Sequence, residues 1–175
     1  MWFTSGLAGT GSNDIVVDGV FVPEHRVLDV EDLYAGRCPG REVNPSALLR
    51  VPWYTLFVNA VVVPLVGMSR RVLDEAVGIH KSRSAADATT LPHPATLARF
   101  TEADFEIDTA YRILQSNLAD AFAAVADSDV VPMEMRQRSK RDHIAAVGLA
   151  VSAADKAYQV GGPRSIATSS ALQSV

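Results

Sequence analysis

Cysteine is almost absent from this 175-residue sequence, in which Cys38 is the single example. One cysteine excludes an internal disulfide and any metal cage built from cysteines, and it suits the reducing cytoplasm in which we expect the protein to reside. Basic residues are not in excess either, because the formal net charge is −4. The sequence therefore offers no electrostatic reason to bind nucleic acid or an anionic membrane, and we expect neither as a partner.

Long hydrophobic runs are also missing. The longest apolar run, residues 56–68, is interrupted by Asn59 and Pro64 and is shorter than the roughly 20 residues that cross a bilayer. We therefore predict a buried helix there. A break or kink is expected at Pro52 and Pro64, because proline disfavours the helical conformation in the residue before it.

Catalytic and metal-binding motifs are equally scarce. The chain has four histidines, which are His25, His80, His93 and His143. No two of them have the four-residue spacing of helical metal ligands, and no H-E-x-x-H, G-x-S-x-G or Walker A pattern occurs. The G-x-G at residues 9–11 precedes a predicted strand rather than a helix, which excludes a Rossmann nucleotide site. No carboxylate occurs between Glu42 and Asp74, so a first long helix in this region has no general base of its own.

The sequence changes character near residue 36. Before it, the strand-forming triplets 15–17 and 20–22 flank Asp18-Gly19, which taken alone is a hairpin signal, and residues 1–36 are predicted to be β. Residues 37–45 carry two prolines and a glycine and indicate a linker. From residue 46 to residue 175 the pattern predicts long helices.

Two stripes of apolar residues at steps of three and four define the best helices. The first stripe predicts a helix over residues 97–127 and consists of Phe100, Ala103, Ile107, Tyr111, Leu114, Leu118, Ala121 and Val125. The second predicts a helix that ends at Gly161-Gly162 and consists of Met135, Ile144, Val147, Val151, Ala154 and Tyr158. Helices of this length with short connections must bury their stripes against one another, so the sequence predicts a mainly α fold, an antiparallel (four-)helix bundle.

A basic run lies near the start of the second of these helices. Its members are Arg136, Arg138, Lys140 and Arg141. The simplest interpretation is a solvated helix face, although such a run can also neutralise a phosphate. His143 follows it and is most simply a surface or core-edge histidine.

Three segments, in this order, resemble the acyl-CoA dehydrogenase superfamily. “GLAGTGSNDIVVDGVFVPEHRVL” resembles its last β-domain strands, “VVPLVGMSRRVLDEAVGIHKSR” its first bundle helix, and “AYQVGGPRSIATSSALQ” the glycine turn before its last long helix. The resemblance implies that residues 1–36 end a middle β-domain, with Val16 to Val22 as one long strand rather than a hairpin. Residues 46–175 then form the C-terminal four-helix bundle with a truncated last helix. We expect the chain to be a fragment of a longer protein, truncated at both ends.

Within the superfamily, “WFTSGLAGTGS” and “SSALQ” resemble the flavin-dependent, two-component monooxygenase branch. The absence of a carboxylate on the first bundle helix agrees, because some of the dehydrogenases place their base there. The resemblance implies a parent enzyme that takes reduced flavin, FMNH2 or FADH2, from a separate reductase. It would use O2 to oxygenate a small organic substrate of the aromatic class.

The resemblance also implies which residues contact the flavin. Thr10 and Ser12 would place hydroxyls at the edge of the isoalloxazine ring, and Trp2 would pack against the ring or its pocket. Gly9 and Gly11 would let the backbone approach closely with positive φ. The alternative for residues 9–12 is a purely structural turn.

At the helical end, Arg83 matches an arginine that pairs with a flavin phosphate, often across a dimer interface. Gly161 and Gly162 match a turn whose amides meet the same part of the cofactor, and they also predict a helix C-cap. Two departures stand out: “KSRSAADATT” lacks the usual R-x-x-F-G, and Ser174 replaces an arginine. The catalytic residues are unknown and are expected outside this chain.

Two other functions stay open at this point. One is an acyl-CoA dehydrogenase-type oxidoreductase with bound FAD, and the other is a non-catalytic helical oligomerisation or interaction module. In either enzyme the family resemblance implies a homodimer or homotetramer assembled through the helical bundle.

Overall fold

A computed structural model of the chain describes residues 8–37, 39–86, 92–162, 165, 170 and 172. Its helices are α1 (Val30–Ala35), α2 (Gly40–Val43), α3 (Trp53–Ala86), α4 (Pro94–Asp127) and α5 (Met133–Val160). Short 3-10 turns occupy Ala8–Thr10, Glu24–Arg26 and Ala47–Leu49. The predicted helical bundle is therefore confirmed, with three long helices as its body.

Helices α3 and α5 run parallel to each other. The Ser69 hydroxyl of α3 donates a hydrogen bond to the Ala150 carbonyl of α5 at 2.8 Å. About three turns further on, the His80 Nε2 of α3 donates to the Val160 carbonyl at 2.7 Å. Since both partners advance together along the chain, the carboxyl ends of α3 and α5 lie at the same end of the bundle.

Helix α4 runs antiparallel to the other two. Arg99 near its start donates to Gln159 at the end of α5 at 2.5 Å. Asn117, more than four turns later, donates to Asp142 near the start of α5 at 3.0 Å. This arrangement is the up-down packing that short connections favour.

The core between the three helices is built largely from small side chains. Helix α5 contributes four alanines that are 0% exposed, whereas Ile144 and Val151 on the same helix are 76% and 47% exposed. The main cluster comprises Val62, Val66, Leu73, Ala76, Ala103, Ile107, Ala110, Leu114, Ala146, Ala150, Ala153 and Ala157. The predicted stripe of α5 is therefore wrong at Ile144 and Val151, whereas Met135 and Val147 do pack against the core. The most buried positions are alanines, because small residues let helix backbones approach closely.

Helix α3 begins directly after Pro52 and continues through Pro64. The break expected at Pro52 is confirmed, while Pro64 lies inside a continuous helix that lacks one backbone donor there. By length and composition α3 could also cross a membrane, and 28% of its most apolar window is buried in the bundle. One stripe of α3 packs on α4 and α5, so the predicted buried helix holds for that face only. Phe57, Val61 and Met68 on the outer face are about half exposed.

The segment before α1 differs from its prediction. Among residues 8–37 no strand forms, and Ile15 and Phe21 are 88% and 85% exposed. A strand needs a neighbouring backbone to complete its hydrogen bonds, and no described segment lies beside this one to provide it. Val16 to Val22 is therefore an irregular, unpaired segment here, with Gly19 at φ 63°.

The prediction that residues 1–36 are β is also wrong at its end, where Val30–Ala35 form the helix α1. The Asp29 side chain caps α1 by accepting from the backbone N–H groups of Glu31 and Asp32, and Gly36 ends it at φ 74°. An aspartate cap followed by acidic residues and a closing glycine is a helix signal in the sequence itself. Within the predicted linker the structure also forms the single turn α2.

Asp129, between α4 and α5, connects the linker to the bundle by ion pairs. Asp129, at φ 62°, pairs with Arg41 at 2.5 Å and with Arg50 at 3.2 Å. The hydrogen bond from Arg41 holds the pKa of the Asp129 carboxyl below its usual value, although burial opposes this shift. The linker is thus held against the end of the bundle where α5 begins.

Candidate functional site

Three of the residues predicted to bind a cofactor meet at the carboxyl ends of α3 and α5. The half-buried Arg83, in the last turn of α3, donates from Nη2 to the Gly161 carbonyl at 3.2 Å. Gly161 ends α5, and Gly162 follows it in the left-handed region at φ 77°. The helix C-cap predicted for these glycines is confirmed, and the parallel direction of α3 and α5 is what brings Arg83 to it.

The glycine at position 162 also leaves space beside the arginine. A Cβ atom there would lie 3.7 Å from both terminal nitrogens of Arg83. At Gly161 the space is already used, since a Cβ would meet Leu172 at 2.8 Å and Ser165 at 3.1 Å. A side chain therefore does not fit at Gly161, whereas at Gly162 there is space next to the Arg83 guanidinium.

This arrangement fits the phosphate part of a flavin. A guanidinium forms strong, directional hydrogen bonds to phosphate oxygens, and a glycine turn allows a close approach by the backbone. His80 lies one turn before Arg83 and is already engaged with the Val160 carbonyl at 2.7 Å. Arg83 retains further donors for a ligand beside the Nη2 bond to the Gly161 carbonyl.

Residues 9–12 are exposed, and Gly9 and Thr10 belong to the 3-10 turn Ala8–Thr10. The Thr10 and Ser12 hydroxyls lie 2.7 Å apart, and the Asn13 side chain donates to the Gly11 carbonyl at 2.9 Å. Gly11 has φ 68°, and nothing lies within 4 Å of a Cβ built at Gly9 or Gly11. The positive φ expected at Gly11 is confirmed, but the one expected at Gly9 is wrong, because Gly9 lies inside the 3-10 turn Ala8–Thr10. Trp2 lies outside the described residues.

A second group of polar residues, which sequence reasoning did not single out as a site, lies at the opposite end of the bundle. His143 is 4% exposed on α5. Burial lowers the pKa of its imidazole, and the nearby Asp142 opposes that shift. A lone histidine among alanines carries no motif. The signal that could have found the group is the spacing of three, four and seven residues between His143 and Lys140, Ser139 and Arg136, which places all four on one helix face. Among the described residues no group of three or more histidine, cysteine or acidic side chains could hold a metal ion.

Comparisons with known proteins agree with this fold. The family described as “Acyl-CoA dehydrogenase, C-terminal domain” matches residues 60–174. The oxygenase subunit HsaA of a flavin-dependent monooxygenase from Rhodococcus jostii (strain RHA1) is 36% identical over 99% of this chain and 46% of its own length. The oxygenase component of an FADH(2)-dependent resorcinol hydroxylase from Rhizobium sp. (strain MTP-10005) is 33% identical over 70% of this chain and 32% of its own length.

Solved structures show the same likeness. The crystal structure of the HsaA monooxygenase from M. tuberculosis has a TM-score of 0.86 and 31% identity, covering 99% of this chain and 46% of that one. The 3-HSA hydroxylase from Rhodococcus sp. RHA1 has a TM-score of 0.85 and 35% identity, with 99% and 45% coverage. The chain therefore spans less than half the length of these relatives. In fold and in sequence, it belongs to the acyl-CoA dehydrogenase C-terminal domain family.

Proposed function

We propose that this chain is the helical part of a flavin-dependent monooxygenase, the oxygenase component of a two-component system. The parent protein would take reduced flavin, as FMNH2 or FADH2, from a separate reductase and would hydroxylate a small aromatic substrate with O2. The observation that carries the proposal is the likeness to HsaA oxygenase subunits over 99% of the chain. The chain covers 46% of those proteins, so the activity is assigned to the whole protein.

The contribution of Arg83 and the glycine turn is to hold the cofactor. Arg83 uses one terminal nitrogen on the Gly161 carbonyl, and its remaining N–H groups would donate to a flavin phosphate. Gly162 keeps the adjoining space free of a side chain. The ring end would rest near Thr10 and Ser12, whose hydroxyls can donate to ring oxygens and nitrogens. When bound, the flavin supplies the redox chemistry with O2.

The decisive experiment uses the full-length protein with photoreduced FMN or FAD, O2 and a panel of phenols. Hydroxylated product that depends on O2 and reduced flavin would support the proposal. Reduction of the bound flavin by an acyl-CoA, with no need of a reductase, would instead establish a dehydrogenase. Absence of flavin binding by a stable helical oligomer would establish an interaction module.

The role of Arg83 is tested by flavin titration of Arg83→Gln in the full-length protein. Losing a charge-assisted hydrogen bond costs about 1.5–3 kcal/mol, so we expect roughly 10- to 100-fold weaker binding. The matched control is Arg71→Gln on the same helix, since Arg71 is an exposed residue paired with Glu75. Equal flavin affinity in both variants would contradict the phosphate role.

We also propose that the protein assembles as a homodimer or homotetramer through its bundle. Support comes from the outer face of α3, where Phe57, Val61 and Met68 are about half exposed. Contiguous apolar faces of this kind mark interaction surfaces. Light scattering on the full-length protein tests this, and a monomer at micromolar concentration would refute it.

A further inference from the structure

A cavity of about 370 Å³ lies where α1, α3 and the first turns of α5 meet. Helix α5 lines it with Arg136, Ser139, Lys140 and His143. Their spacing of three, four and seven residues from Arg136 places all four side chains on one face of the helix. This volume is in the range of small-molecule sites.

Four of the buried polar atoms that α5 places here lack partners, although Arg136 also donates from Nη1 to the Tyr34 carbonyl at 3.5 Å. His143 and Ser139 are 4% and 5% exposed. Neither ring nitrogen of His143, nor the Ser139 hydroxyl, nor Nε of Arg136 has a hydrogen-bond partner in the described part of the chain. Buried polar groups in native proteins are nearly always satisfied. This cluster therefore points to an occupant that supplies the missing partners.

The occupant that these atoms fit is an anion. The neighbouring cations of the basic run are paired, since Arg138 binds Asp120 and Arg141 binds Asp142. By contrast, no carboxylate lines the cavity that contains Arg136 and Lys140. Arg136, Lys140 and Ser139 offer donors, and a neutral imidazole offers one more. The missing partners are thus mainly acceptors.

Two tyrosines form part of the cavity wall. Tyr34 from α1 and Tyr54 from α3 both line it, and their ring centroids are 5.9 Å apart. Lys140 places its ammonium group 5.1 Å from the centre of the Tyr54 ring. Such walls favour a flat, apolar body next to the anionic group.

We propose that this cavity binds a small aromatic carboxylate. The carboxylate accepts hydrogen bonds from Arg136 and from Ser139 or His143, and the ring packs against Tyr34 and Tyr54. The site needs no flavin and does not depend on the proposed monooxygenase activity, so its failure and the failure of that activity are separate results.

The test titrates the chain with sodium benzoate at constant ionic strength and follows the His143 ring signals by NMR, assigned with His143→Gln. Benzamide, which lacks the charge, and acetate, which lacks the ring, are the matched ligands. We expect benzoate to move the His143 signals and to bind at least tenfold more tightly than either. No shift up to about 10 mM benzoate, or equal affinity for acetate and benzoate, would overturn the proposal.

Two variants locate the site by calorimetry. Arg136→Gln is expected to weaken benzoate binding roughly 10- to 100-fold, because a charge-assisted hydrogen bond is lost. Arg112→Gln on the exposed face of α4 is the matched control, since the Arg112 side chain is 79% exposed. Equal benzoate affinity in the two variants overturns the proposal. If Arg136→Gln does not fold, Ser139→Ala is compared with the exposed Ser116→Ala by the same criterion.

Discussion

The contact between α3 and α5 leaves no room for a larger side chain at Ala150, so Ala150→Leu is expected to destabilise the bundle. Ala150 is 0% exposed, and its carbonyl accepts the hydrogen bond from Ser69 at 2.8 Å. A leucine would have to push the two backbones apart, which strains the core and stretches that hydrogen bond at the same time.

The magnitude follows from these two effects. Overpacking a close-packed core costs about 1–3 kcal/mol, and a buried hydrogen bond contributes about 0.5–1.5 kcal/mol. Leucine and alanine differ little in helix propensity, by about 0.2 kcal/mol. The free energy of unfolding should therefore fall by about 2–4 kcal/mol. For a chain of this size that corresponds to a decrease in melting temperature of roughly 5–15 °C.

The assay is urea unfolding followed by circular dichroism, with Ala145→Leu as the matched control. Ala145 lies on the exposed side of the same helix, so the same substitution there should change the free energy of unfolding by less than about 0.5 kcal/mol. Equal unfolding midpoints for the two variants would refute the close α3–α5 contact as the reason for the alanines.

Three further predictions use the same unfolding measurement. Gly36→Ala should destabilise by more than about 2 kcal/mol, because φ is 74° and the added Cβ would lie 2.6 Å from the Arg50 carbonyl oxygen; Gly40→Ala, with open space, should not. Gly162→Ala should cost about 1–2 kcal/mol from its positive φ alone, and a change near zero would contradict that strain. His143 has a lowered pKa because it is buried, so the unfolded chain takes up its proton first as the pH falls below about 6.5. The stability linked to this group is full above that pH and decreases below it, and His143→Gln should remove this part of the slope below about pH 6.5.

The helices were predictable from the sequence, but the inward face of α5 was predicted only in part. The helix predicted over residues 97–127 is observed as Pro94–Asp127, because its apolar stripe is long and regular. In α5 the large apolar residues Ile144 and Val151 point outward. Periodicity shows that a face exists, yet only the packing distance between helices decides whether large or small residues fill it.

The N-terminal segment and the candidate site show a different limit. Residues 15–22 have strand-like composition, but a strand forms only beside another backbone, and none of the described segments lies beside it. The family resemblance assigned Arg83 and the glycines 161 and 162 to the same part of a cofactor, but it did not predict that they meet within one chain. The His143 cavity was missed because its residues come from three elements that the sequence does not place together.

The parallel direction of α3 and α5 gives the bundle an electrical polarity. Each helix carries about half a positive charge at its amino end and half a negative charge at its carboxyl end. Two carboxyl ends and one amino end meet near Arg83, so the backbone there repels a phosphate unless the guanidinium reverses the local potential. At the His143 cavity the balance is opposite, with two amino ends against one carboxyl end. The backbone alone therefore directs small anions toward the His143 end, whereas at the other end cationic side chains such as Arg83 must outweigh the backbone.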